Sequence, residues 1–102
     1  MIERWSYRLA ELLKNAEPVV LITQLGQRGS SPRSSGAKML VTPLNTIDSL
    51  GGGHLEHQAI EHARQLLCEH KDGLHELEYT LAGQLGQCCG GEVRVLFEVF
   101  NA

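Results

Sequence analysis

The chain has 102 residues, enough for one domain with a modest core. Its formal net charge of −3, with no Lys/Arg cluster and no aromatic platform, argues against general nucleic-acid binding. No segment reaches the length of a membrane span, and the start MIERWSYRLAELLKN is charged throughout. It reads as neither a signal peptide nor a membrane helix, so a cytoplasmic location is expected.

Ile2, Trp5, Leu9, Leu12, Leu13 and Ala16 recur at helical spacing, with Glu3, Arg4, Arg8, Glu11 and Lys14 between them. This pattern predicts an amphipathic first helix that Pro18 ends. VVLIT at 19–23 is short, continuous and β-branched, which predicts a buried strand. QLGQRGSSPRSSG at 24–36 holds three glycines, four serines and a proline, and is expected to be the longest loop. AKMLVT at 37–42 and TIDSL at 46–50 are the next strands, and the second runs into Gly51, Gly52 and Gly53.

From His54 the helical period returns. Leu55, Ala59, Ala63, Leu66 and Leu67 form a stripe that Ile60 flanks, to about Lys71, with Asp72-Gly73 as the stop signal. LHELEYTLA at 74–82 and EVRVLFEVF at 92–100 alternate as strands, the second placing Val93, Val95, Phe97 and Val99 on one face. The predicted fold class is α+β: a mixed, largely antiparallel sheet of about five strands, with two helices packed on one side of it.

Three glycine-containing loops carry the chemistry: GSSPRSSG, GGGHLE and QCCGG. Meeting at one edge of the sheet, they would line a pocket with backbone N–H groups, serine hydroxyls, an arginine and a thiol. That set suits an anion with a soft or electrophilic centre. In GGGHLE, Gly51, Gly52 and Gly53 allow close approach of a ligand, and the following helix directs free N–H groups and its positive dipole end at them. The plain alternative is a glycine-rich turn into a helix. No GxGxxG or Walker pattern is present. Glu56 falls near the apolar stripe in the first helical turn, as a cap for free N–H groups or as a ligand contact.

Arg33 is a natural partner of phosphate or carboxylate, and Ser30 and Ser31 before it supply further donors. A serine nucleophile lacks a supporting His and Asp pattern. His54, His57 and Glu61 share a helix face opposite the apolar stripe and are read as solvated, as are His62, His70 and His75. Two of the three cysteines are adjacent, Cys88 and Cys89, directly before Gly90 and Gly91. Adjacent cysteines bridge only through a strained ring, and no CxxC pair marks structural zinc. They are therefore either small buried hydrophobes or a thiolate whose pKa is lowered among backbone donors and which ligates a metal. Cys68 falls on the outer side of its helix.

GSSPRSSGAKMLV at 29–41, GGGHLE at 51–56 and LGQCCGGEVRVLFE at 85–98 together resemble the XdhC/CoxI family in order and spacing. The resemblance implies an accessory protein, not an enzyme. It would bind the molybdenum cofactor in its molybdopterin form, hold it during sulfuration, and help insert it into a molybdenum hydroxylase such as xanthine dehydrogenase. The family's usual C-terminal Rossmann domain has no counterpart in 1–102, which is expected to be a single XdhC/CoxI-like domain. Cys89 matches the family's CGG cysteine and is the candidate molybdenum ligand, with Cys88 auxiliary. Arg33 and the glycine loops, Gly51 to Gly53 with Gly90 and Gly91, suit the phosphate. Ser30, Ser31 or Glu56 suits the pterin edge. Two other readings stand beside this one: a sulfur carrier or thiol enzyme using Cys89, with a cysteine desulfurase as partner, and a plain protein-interaction domain. An exposed sheet edge in so small a domain also allows a homodimer.

Overall fold

The computed structural model describes residues 4–28, 36–51, 53–80 and 92–101. In chain order these form α1 (Arg4–Lys14), β1 (Val19–Arg28), β2 (Lys38–Val41), β3 (Thr46–Asp48), α2 (Gly53–Cys68), β4 (Gly73–Thr80) and β5 (Glu92–Phe100). The α+β class holds. The five strands make one sheet in the order β3-β2-β1-β5-β4, and every neighbouring pair is antiparallel. Among the described residues, no helix is long and apolar enough to cross a membrane.

The helices do not share a side of the sheet. Val20, Ile22, Met39, Val41, Val93, Val95, Phe97 and Val99 pack under Ala59, Ala63, Leu66 and Leu67 of α2. Val19, Leu21, Leu40 and Ile47 form a second, smaller core with Leu12 of α1, joined by Trp5 and Leu9. Neighbouring residues of β1 therefore belong to different cores, because successive side chains of a strand point to opposite faces. The continuous apolar run VVLI is the cause: each face needs its own cover, so one helix lies on each. Lys38 links α1 to its face, with Nζ 3.1 Å from Thr23 Oγ1 and 5.4 Å from the centroid of the Trp5 ring.

Several boundaries differ from the expected ones. β1 runs on to Arg28, five residues beyond the end at Thr23 that the composition implies. The extension pairs with the first half of β5, and the register shifts between Gln24 and Gly26 as a bulge takes up the extra residue. β3 stops at Asp48, two residues short. Leu13, expected on the buried stripe of α1, is 44% exposed.

Both helices end without glycine. Ala16 and His70 hold left-handed φ values of 55°. After α1, the N–H of Glu17 donates to Leu12 O and that of Ala16 to Leu13 O, both at 3.0 Å. After α2, Lys71 N–H donates to Leu66 O at 3.0 Å and His70 N–H to Leu67 O at 3.2 Å. This paired pattern is the Schellman closure, with Ala16 and His70 in the position glycine usually fills. α2 thus stops at Cys68 rather than near Lys71, and Gly73 opens β4 instead of ending the helix.

Candidate functional site

The strand directions bring one end of the sheet into focus. β1 runs toward that end and β2 leaves it. β3 and β4 run toward it, β5 leaves it, and α2 starts there directly after β3. Glu92, the first residue of β5, pairs with Arg28 on one side and Thr80 on the other. The last described residues before segments 29–35 and 81–91 therefore lie on a single rung. The third glycine segment, at 51–53, begins from the same end of the sheet.

Of the predicted site residues, Gly51, Gly53 and Glu56 lie within the described residues. Ser30, Ser31, Arg33, Gly52, Cys88, Cys89, Gly90 and Gly91 lie outside them. Gly51 and Gly53 have φ values of 113° and 82°. A Cβ at Gly53 would meet nothing within 4 Å, so the backbone angle, not crowding, calls for glycine there.

Glu56 reaches back from the first turn of α2 to the residues before it. Its Oε1 accepts the Leu50 N–H at 2.9 Å and the Ser49 hydroxyl at 2.5 Å. Ser49 Oγ in turn accepts the Gly51 N–H at 2.9 Å. These bonds make Glu56 a cap for the strand-to-helix turn, the first of the two roles its position offers. They also commit the Gly51 N–H to a local partner. Ser49 was not singled out in the sequence: a serine two residues before Gly51 and seven before Glu56 carries no recognised motif.

The α2 histidines divide into two kinds. His54 and His57 are exposed, and His57 Nε2 lies 3.8 Å from Glu61 Oε2 on the solvent side. His62 departs from the solvated reading. It is half-buried with its ring edge-on to Phe97, centroids 4.9 Å apart at 73°. Burial lowers its pKa, nearby His75 lowers it further, and Glu69 opposes both. The physical reason is its place next to Ala63 and Ala59: small stripe residues let the helix sit low, and the flanking ring meets the sheet. His75 is half-buried too, and its Nε2 lies 2.8 Å from Lys71 O. Cys68 is exposed, as expected.

Gln24 carries the feature least expected from sequence. It is 2% exposed, and its Oε1 has no hydrogen-bond partner among the described residues. As the first polar residue after VVLIT it reads as loop. Instead it is the last inward-facing residue before the bulge in β1.

The five-stranded antiparallel sheet, with a helix on each face and three glycine-bearing connections leaving one end, defines a small α+β domain. The XdhC and CoxI family model matches residues 12–79, and the chain belongs to that family. It is 29% identical over 92 residues to the uncharacterized protein YqeB of Escherichia coli K12, covering 88% of this chain and 17% of that protein. In structure it is similar to a chain described as a xanthine dehydrogenase from Bacillus halodurans. That match has a TM-score of 0.67 and 29% identity, over 91% of this chain and 29% of the other. The chain thus spans less than a third of the length of either relative.

Proposed function

We propose that this chain binds the molybdenum cofactor in its molybdopterin form and passes it to a molybdenum hydroxylase of the xanthine dehydrogenase kind. In this reading it is an accessory protein of the cytoplasm with no turnover of its own. It holds the cargo while a separate cysteine desulfurase supplies sulfur. Membership of the XdhC and CoxI family supports the reading, as does the likeness to a chain described as a xanthine dehydrogenase. The observation that carries it is topological: Arg28, Thr80 and Glu92 share one rung, at the sheet end where α2 also begins.

The roles follow from donor chemistry. The phosphate suits Arg33, with the Gly53 region at the start of α2, where the positive dipole end attracts an anion. Since the Gly51 N–H is engaged by Ser49, Gly51 contributes by shape rather than as a donor. Ser30 and Ser31 suit the pterin edge. The pair Cys88 and Cys89, before Gly90 and Gly91, offers a soft thiolate to the metal end, with Cys89 as the ligand.

The test is an anaerobic titration with molybdenum cofactor released from a molybdenum enzyme, comparing wild type with Cys89→Ser. Saturable binding that weakens in the variant is the expected result. Equal binding by both would remove Cys89 from the site while keeping the carrier. Absence of binding by wild type would overturn the cargo reading.

A further inference from the structure

The carboxamide of Gln24 lies on the core face of β1 with its oxygen buried and unpartnered among the described residues. Its backbone is fully paired: the N–H donates to Ala37 O at 2.9 Å, and its carbonyl accepts the Gly36 N–H at 2.6 Å. Its side chain alternates onto the face of Val20 and Ile22, the face that α2 covers. Yet Oε1 is buried and unpaired among the described residues. Buried polar atoms are nearly always satisfied, and one that is not destabilises the fold. A methionine has nearly the same shape and no such demand, and Met39 already serves in this core with no exposure. An amide is therefore a costly choice for filling the space.

Its position supplies a reason. Gln24 is the last core-facing residue of β1 before the bulge at Gln24/Gly26, on the side of the strand from which segment 29–35 departs. Ile22 and Met39, paired across β1 and β2, lie one step further in. Bulges recur beside functional sites because they re-aim side chains. α2 and its capped turn at Ser49–Gly51 start from the same end.

We infer that Gln24 is a specificity contact for the bound cargo, its Oε1 accepting an N–H from the cargo's heterocyclic edge. The inference rests on the proposed function and assigns the pterin edge a contact buried within the sheet, beyond the serines of segment 29–35. A pterin edge presents amino and ring N–H donors, which match an amide oxygen and not a hydrocarbon. In the free chain Oε1 is closed from solvent, so the donor reaches it by displacing the groups that cover it. A ligand without N–H donors gains nothing from it, so Gln24 discriminates by the cost of leaving a buried acceptor unpaired.

The test pairs stability with binding in the same variant, Gln24→Met. The unliganded variant should melt at or above the wild-type temperature, since an unsatisfied group has been removed. Its affinity for released molybdenum cofactor should fall roughly tenfold or more. In wild type, the side-chain amide resonance of Gln24 should shift on saturation. A lower melting temperature would mean the amide is satisfied within the fold and would overturn the inference. Unchanged affinity, or an unmoved resonance at saturation, would overturn it too, while leaving the carrier function intact. Failure of wild type to bind at all would overturn the cargo reading, and the inference with it.

Discussion

The carboxylate of Glu56 accepts the backbone N–H of Leu50 at 2.9 Å, binding the first turn of α2 to the end of β3. A residue that suits a ligand is thus also one the fold uses. Glu56→Ala leaves Leu50 N–H and the Ser49 hydroxyl without their acceptor, and should cost about 1–2 kcal/mol in urea denaturation. Glu56→Gln keeps an oxygen at the same position and should recover most of that loss. If the alanine variant were as stable as wild type, the cap would be idle. A drop in cargo affinity in the glutamine variant, with stability retained, would identify a second role for the carboxylate.

Ala16 and His70 occupy the position after a helix where a left-handed backbone is required, each at φ 55°. A side chain there strains against the following carbonyl, which glycine avoids. Ala16→Gly and His70→Gly should therefore each stabilise the chain, by about 0.5–1 kcal/mol after the added freedom of the unfolded glycine is deducted. Because the two sites close different helices, the gains should add. A lower denaturation midpoint for either variant would show that the side chain contributes more than its strain costs.

How far the sequence discloses this fold depends on what each signal encodes. The stripe Ala59, Ala63, Leu66 and Leu67 and the alternation of Val93, Val95, Phe97 and Val99 were legible, because burial on one face imposes a period. The extension of β1 through Gln24 to Arg28 was not, because those residues pair by backbone to β5 and bear no apolar alternation. The helix ends were misplaced for a related reason: Ala16 and His70 do the work usually given to glycine, and neither looks like a stop. VVLI declared a buried strand, but a run apolar at every position does not say whether its two covers lie together or apart. Of the candidate site, the capping capacity of Glu56 was visible in its first-turn position, while its partner Ser49 was not. Gln24 was hidden altogether, since a glutamine beside a glycine-rich stretch looks like loop.

His62 presses its ring against Phe97, and burial holds its pKa below the ordinary 6.5. His75 on β4 lowers it further, and Glu69 after α2 raises it less strongly. Above the unfolded value both states are neutral, so the site carries no penalty. As pH falls through 6.5, the unfolded chain takes up the proton first, and stability drops until the folded pKa is also passed. Denaturation midpoints measured from about pH 8 down to about pH 5 should therefore decline in the acid half, with a shallower decline in His62→Gln. An identical decline in the variant would assign the acid sensitivity to other groups.

Phe97 and Leu96 are neighbours on β5 but face opposite sides of the sheet, and their environments differ. Phe97 has no exposed surface and sits in the core beneath α2, whereas Leu96 is half-buried on the other face. That face is covered by α1 over β1, β2 and β3, while the β4 side of it bears the exposed residues Leu74, Glu76 and Glu78. Phe97→Ala should cost about 3–5 kcal/mol, the range for an aromatic deleted from a packed interior. Leu96→Ala should cost clearly less, about 1 kcal/mol, since part of its surface already meets water. Because α1 rests on the smaller core, Leu12→Ala should loosen that helix and expose amides of α1 to hydrogen exchange ahead of those of β5. Equal losses for Phe97→Ala and Leu96→Ala would contradict the division into a large core under α2 and a small one under α1.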